Sequence, residues 1–265
     1  MTDPRPIGIF DSGIGGLTVL AAVRRRLPGE HFVYLGDTAR LPYGTKSAET
    51  VVRYALRAAE FLASHGVKML VVACNTASAA ALPALEEAMT IPVVGVVAPG
   101  ARAAVARTSG SVGIIGTEST VASGAYLRAV HALRPEIEVV ARACPLFVPL
   151  AEEGWWEHPV TDEVARLYLE PFTGGRVDTL ILGCTHYPLL RHAIARAVGE
   201  KVGLVDSAEA VAGEVAEALS GRAPSAPAAG SLRLLVTDAA ARITRIARLI
   251  LPEVAVNLEL VDLPD

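Results

Sequence analysis

Lysine is scarce. Lys46, Lys68 and Lys201 are the only three in 265 residues, and none stands in a setting that suggests a Schiff-base partner for pyridoxal phosphate. The three cysteines, Cys74, Cys144 and Cys184, form no CxxC pair, and no HExxH or clustered His/Asp set accompanies them. The expectation is therefore no cofactor and no metal. An odd number of cysteines also argues against a disulfide framework. No charge runs long: 24 basic against 28 acidic side chains leave a net charge of −4, without the positive stripe that nucleic-acid binding requires. Long apolar runs are missing too. The longest uncharged stretch, Met69 to Leu85, is interrupted by Asn75, Thr76, Ser78 and Pro83, which is too polar for a membrane span. The opening Met1-Thr2-Asp3-Pro4-Arg5-Pro6 lacks the basic start and apolar segment of a secretory signal, so a cytoplasmic chain is expected, with neither nucleic acid nor membrane as partner.

What is present is a globular composition, 52% apolar and 20% charged. At roughly 150 residues per domain, the length suits two modest domains or one large one. Short apolar runs bounded by Gly, Asp or Pro recur at 7–10, 32–35, 69–73, 92–96, 112–115, 137–141, 179–182, 202–205, 232–236 and 254–260. They read as buried strands. Between them lie amphipathic stretches such as Leu17 to Leu27 and Thr50 to Ser64, with another helix near Ala239 to Leu251, after a loop from Gly221 to Ser231. This alternation predicts an α/β protein with mostly parallel sheets.

A weak internal repeat refines that expectation. Ile7-Gly8-Ile9-Phe10-Asp11-Ser12 resembles Val112-Gly113-Ile114-Ile115-Gly116-Thr117, 105 residues later, and Val71-Val72-Ala73-Cys74-Asn75-Thr76 resembles Ile181-Leu182-Gly183-Cys184-Thr185-His186, 110 residues later. Two matches at nearly one offset predict two similar α/β domains related by a pseudo-two-fold, with the active site in the cleft between them. The expected division is 1–97 plus 207–265 for the first domain and 98–206 for the second, with crossovers near Ala98-Pro99 and Asp206-Ser207.

Cys74 and Cys184 each follow a strand and precede a helix, where ligands bind in open α/β sheets. Nearby helix N–H groups favour the thiolate, so a pKa below the usual value of about 8.5 is expected for both. Cys144, before Pro145 in an apolar stretch, reads as an inert core thiol. The turn Asp11-Ser12-Gly13-Ile14-Gly15-Gly16 is not a dinucleotide fingerprint, since Thr18 stands where a glycine is needed, and it lacks the Gly-Lys-Ser/Thr of a phosphate loop. It suits a small zwitterion, with Asp11 for an ammonium and the Ser12 hydroxyl and N–H groups for a carboxylate. The loop Asp37 to Gly44 is fixed by Pro42 and Gly44, and its alternative is an ordinary structured loop. Glu152 and Glu153, before Gly154-Trp155-Trp156, read on their own as solvent-facing acids, whereas His186 gains interest from Cys184 two places before it.

Four motifs carry a resemblance: Gly8 to Gly16, Gly36-Asp37-Thr38-Ala39-Arg40 with Pro42-Tyr43-Gly44, Ala73-Cys74-Asn75-Thr76-Ala77-Ser78, and Leu182-Gly183-Cys184-Thr185-His186-Tyr187-Pro188. With them the chain resembles the cofactor-independent aspartate/glutamate racemase group, bacterial glutamate racemases in particular, over nearly its whole length. The resemblance implies that Cys74 works on the D-enantiomer and Cys184 on the L-enantiomer. It further implies partners for these thiols in Asp11, His186 and a glutamate after Pro145-Leu146-Phe147, taken as Glu153 beside Glu152. Implied substrate contacts are Asp11, Ser12, Pro42, Tyr43, Gly44, Asn75, Thr76, Thr117, Thr185 and His186. Glutamate is then the small-molecule partner, an isomerase supplying D-glutamate for peptidoglycan synthesis is the expected activity, and a homodimer is the expected assembly.

Elementary chemistry agrees. Removing an α-proton without an electron-sink cofactor calls for a base on one face of the carbon and an acid on the other. Two thiols facing across a cleft meet that need. The alternatives are a racemase for aspartate or a hydantoin, a non-catalytic amino-acid-binding module, and a redox pair of thiols.

Overall fold

The computed structural model describes residues 3–220, 229–238 and 241–263. Four βα steps open the chain: β1 (Ile7–Asp11), α1 (Leu17–Arg26), β2 (Phe32–Gly36), α2 (Ala48–Ser64), β3 (Met69–Val72), α3 (Asn75–Ala88), β4 (Val93–Gly95) and α4 (Val97–Arg107). The pattern then starts again with β5 (Ser111–Gly116), α5 (Glu118–Ala122), α6 (Ala125–Leu133), β6 (Glu138–Ala143), α7 (Phe147–Glu152), α8 (Pro159–Leu169), β7 (Thr179–Gly183), α9 (Arg191–Val198), β8 (Gly203–Asp206) and α10 (Ser207–Ala218). Last come β9 (Leu232–Val236), α11 (Ala241–Ile250) and β10 (Leu258–Leu260).

Among the described residues every strand pairing is parallel, and the strands form two sheets, β10-β9-β2-β1-β3-β4 and β6-β5-β7-β8. The run β2-β1-β3-β4 repeats the order β6-β5-β7-β8, so β1 corresponds to β5 and β3 to β7. The two sequence matches fall on these two pairs. They therefore mark corresponding strands of two like-wound sheets. The returning strands β9 and β10 join the first sheet beside β2.

Both faces of each sheet are covered, which explains the nearly continuous apolar strands. In β1, Ile7 and Ile9 enter one core while Phe10 enters the core on the other face. In β5, Val112 and Ile114 face one way and Ile115 the other. Each such side chain contributes roughly 1.5–3 kcal/mol by leaving water. Trp156 packs against a core of each sheet, and α10 lies along α1 after the chain leaves β8.

The ends of several elements differ from the sequence-based expectation. β6 runs to Ala143 because its register on β5 continues from Ser111–Glu138 to Gly116–Ala143. The last strand begins at Leu258 rather than 254, because a turn in which Val254 N–H donates to the Leu251 carbonyl (3.1 Å) precedes it, and only β9 is available to pair it. α2 begins at Ala48 because Ser47 caps it, its hydroxyl accepting from Thr50 N–H. Residues 221–228 of the expected loop and 239–240 of the expected last helix lie outside the described residues.

Candidate active site

The four motifs, joined by Thr117, end at one place because parallel strands deliver their carboxyl ends to one edge of each sheet. Asp11 closes β1, the Asp37 to Gly44 loop follows β2, Cys74 follows β3, and on the other sheet Thr117 follows β5 and Cys184 follows β7. Cys74 caps α3, its sulfur accepting from Ala77 N–H at 3.4 Å, while its thiol donates to Ser12 Oγ at 3.4 Å. The two cysteines line one cavity and are only 4% and 6% exposed.

Around them the same cavity gathers Ser12, Pro42, Tyr43 and Gly44 from the first-sheet loops, Asn75 and Thr76 from α3, and Thr117, Thr185 and His186 from the second sheet. Close approach of the two halves depends on glycine. A Cβ at Gly15 would stand 2.4 Å from Thr185 Oγ1 and 2.7 Å from His186 Nδ1, and one at Gly44 would stand 2.6 Å from the Thr117 Cβ. The hydroxyls of Thr76, Thr117 and Thr120 form a buried triangle with sides of 3.0, 3.1 and 3.0 Å, spanning both halves. Asn75 Nδ2 is a buried donor without a hydrogen-bond partner.

The cavity is small, about 20 Å³, room for a single water-sized group. A larger cavity of about 330 Å³ adjoins it and shares Pro42, Gly44, Thr117 and Val148.

Charge is arranged asymmetrically around the two sulfurs. Burial, reinforced by the nearby Asp11 carboxylate, pushes the Cys74 thiol up to about 12, against the lowering by Ser12 and the Ala77 N–H. The expected depression by the helix end is therefore overturned at Cys74: one N–H cannot offset removal from water beside a carboxylate. Asp11 itself is raised by burial, opposed by the His186 charge and by N–H groups of Gly16 and Gly13. At the other sulfur, His186 Nδ1 lies 3.8 Å from Cys184 Sγ and its Nε2 lies 3.3 Å from Glu152 Oε1. Burial acts to lower the imidazole, but Cys184 and Glu152 prevail and raise it to about 10, favouring the cationic form of His186.

A model of the Asp/Glu/hydantoin racemase family matches residues 17–215. The chain belongs to this family. It is 60% identical over 218 residues to the glutamate racemase of Geobacter metallireducens, covering 82% of this chain and 81% of that one. It is 48% identical over 260 residues to that of Chlorobaculum tepidum, covering 97% and 96%. Its structure is similar to that of the Francisella tularensis glutamate racemase in complex with D-glutamate, with a TM-score of 0.92, 37% identity and 98% of each chain covered.

Within this racemase-family site, the structure places three of the expected residues as follows. Glu153 is exposed, and Glu152 is the buried acid at His186. The reason is helical phase: Glu152 follows Val148 by four residues and shares its face of α7, toward the cavities, whereas Glu153 is the cap beyond the helix end. Asp11 does not line the cavity; it is fully buried beneath it, Oδ2 accepting from Gly13 N–H at 3.0 Å and Oδ1 from the Thr185 hydroxyl at 3.4 Å. The Tyr43 hydroxyl donates to Asp37 Oδ2 at 2.6 Å, so its ring walls the cavity while its phenol is occupied elsewhere. Cys144 is a buried thiol of the second-sheet core.

Two residues of the site escaped the sequence reading. Val148 lines both cavities, and as an apolar residue amid others it carried no local signal. Thr120 stands three residues after the capping Thr117, a spacing that puts both hydroxyls on one side of a helical turn. Among the described residues no group of His, Cys, Asp and Glu is placed to hold a metal ion, and no helix is long and apolar enough to cross a membrane.

Proposed function

We propose that the chain is a glutamate racemase, interconverting L- and D-glutamate by proton transfer between Cys184 and Cys74 at opposite faces of the α-carbon. The observation that carries this most directly is the pair of thiols at corresponding strand ends of two like-wound sheets, lining one cavity with different ionisable partners. Starting from L-glutamate, the Cys184 sulfur takes the α-proton as the C–H bond breaks. The electron pair moves toward the α-carboxylate, and the Cys74 S–H bond breaks to deliver a proton to the other face. A thiol pushed up to about 12 keeps its proton at neutral pH and is ready as the acid of this direction. The His186 cation stabilises negative charge on the Cys184 sulfur.

The carboxylate gains charge as the proton leaves, and donors at the cavity wall oppose that charge: the hydroxyls of Ser12, Thr76 and Thr185 and the unpartnered Asn75 Nδ2. Relatives at 48–60% identity that are glutamate racemases support glutamate over aspartate or a hydantoin. We read the two sheets as two domains, 1–97 plus 207–265 and 98–206, with the cleft between them. The product would serve peptidoglycan synthesis in the cytoplasm. The test is polarimetry on L-glutamate with exhaustively dialysed protein. Decay of the rotation to zero without any addition is expected; unchanged rotation, or activity only with added pyridoxal phosphate or metal, would refute the proposal.

A further inference from the structure

Tyr126, in α6 of the second half, is 2% exposed and does not line the substrate cavity. Its hydroxyl donates to Asn75 Oδ1 at 2.6 Å, reaching the residue that follows Cys74. The same oxygen is 3.1 Å from Ser207 Oγ. A phenol has one proton, so with that proton given to Asn75 the Ser207 hydroxyl faces two acceptors with its own, the Tyr126 oxygen at 3.1 Å and the Leu182 carbonyl at 3.5 Å. The ring is seated against glycines. A Cβ at Gly183, the residue before Cys184, would stand 3.2 Å from Tyr126 Cε2, and one at Gly100 would stand 3.3 Å from Cε1. Gly100 lies in α4 and Ser207 begins α10, the two helices that leave β4 and β8. One side chain thus touches the neighbour of each cysteine and both connecting segments. Burial raises the phenol above its ordinary range, so it remains a donor wherever the protein is folded.

An asparagine amide has an acceptor end and a donor end of nearly the same shape, and only its hydrogen bonds decide which points where. Tyr126 claims the acceptor end. The donor end, Asn75 Nδ2, is left buried at the cavity without a protein partner. We infer that Tyr126 is a positioning residue: its phenol proton holds the Asn75 amide so that the NH2 group faces the substrate carboxylate. This role rests on the proposed racemase activity.

Tyr126→Phe keeps the ring and removes the proton, so the amide can present its oxygen to an anionic substrate. The KM for glutamate is expected to rise about tenfold, the effect of one lost hydrogen bond to a charged group, with kcat changed much less and the shape of the pH profile retained. Enantiomers are equal in free energy, so kcat/KM must fall by one factor in both directions. The decisive readout is a double-mutant cycle with Asn75→Ala. If Tyr126 acts through Asn75, adding Tyr126→Phe to Asn75→Ala changes kcat/KM less than about twofold. An equal loss in both backgrounds would assign Tyr126 to packing alone, and a single variant indistinguishable from wild type would also overturn the inference. Thermal unfolding of each variant checks that the fold is kept. If wild type does not turn glutamate over, the racemase reading fails by itself, and the same cycle is run on D-glutamate binding by calorimetry; a wild type that does not bind it either overturns both.

Discussion

His186 and Glu152 meet as a buried ion pair, Nε2 to Oε1 3.3 Å, on the side of the imidazole away from the Cys184 sulfur. The ring therefore stands between a carboxylate and a thiol, and both favour its cationic form over the neutral form that burial alone would select.

Replacing Glu152 by Gln removes one of the two groups that hold the His186 proton. The alkaline limb of kcat/KM that follows loss of the His186 proton is expected to move to lower pH, with roughly tenfold or greater loss above neutrality. Glu153→Gln is expected to change the profile less, since that side chain is exposed. A larger effect at Glu153 than at Glu152 would reverse the assignment.

The same pair links stability to pH. The His186 pKa is raised from 6.5 to about 10 on folding, so its stabilising contribution is fully present below 6.5 and is lost as pH rises through about 10. The melting temperature of wild type should thus fall more from below about pH 6.5 to above about pH 10 than that of His186→Asn, since this window spans both pKa values. Parallel curves for the two proteins would show that the ring is not held as a cation.

Much of this was legible in the residues, and the failures have physical causes. Strands buried on both faces announce themselves as apolar runs, and the Gly-Cys-Thr-His and Ala-Cys-Asn-Thr turns sit at corresponding strands β7 and β3. Helical phase over one short helix is less readable: with α7 only Phe147–Glu152 long, the sequence points to Glu153 while the fold turns Glu152 toward His186. The raised Cys74 thiol is not legible in the sequence because a helix end is a local feature, whereas burial and the nearness of Asp11 come from the packing of separate strands. Tyr126 carried no motif at all, since its importance lies in a contact 51 residues away along the chain.

Asp11 lies under the first thiol and raises it. Asp11→Asn should lower the Cys74 pKa and make that cysteine react faster with iodoacetamide at pH 8, read by mass spectrometry of the labelled peptides. Slower labelling of Cys74 in the variant would mean that the carboxylate does not act on this sulfur.

Cys144 sits in the second-sheet core, so Cys144→Ala should retain most of the activity while lowering stability by about 1 kcal/mol, a shift in melting temperature of about 2–4 °C. Cys74→Ala and Cys184→Ala should each abolish racemisation. Full turnover in either would remove that cysteine from the proton path.

The central claim, two bases on opposite faces, is tested most directly by where solvent hydrogen appears. In heavy water, starting from L-glutamate, the account expects the earliest D-glutamate to carry deuterium at the α-carbon, delivered by a Cys74 thiol already equilibrated with solvent, while the remaining L-glutamate stays largely protiated. A single base returning the proton it removed would give early D-glutamate that is substantially protiated, and that result would contradict the two-cysteine mechanism even in an active racemase.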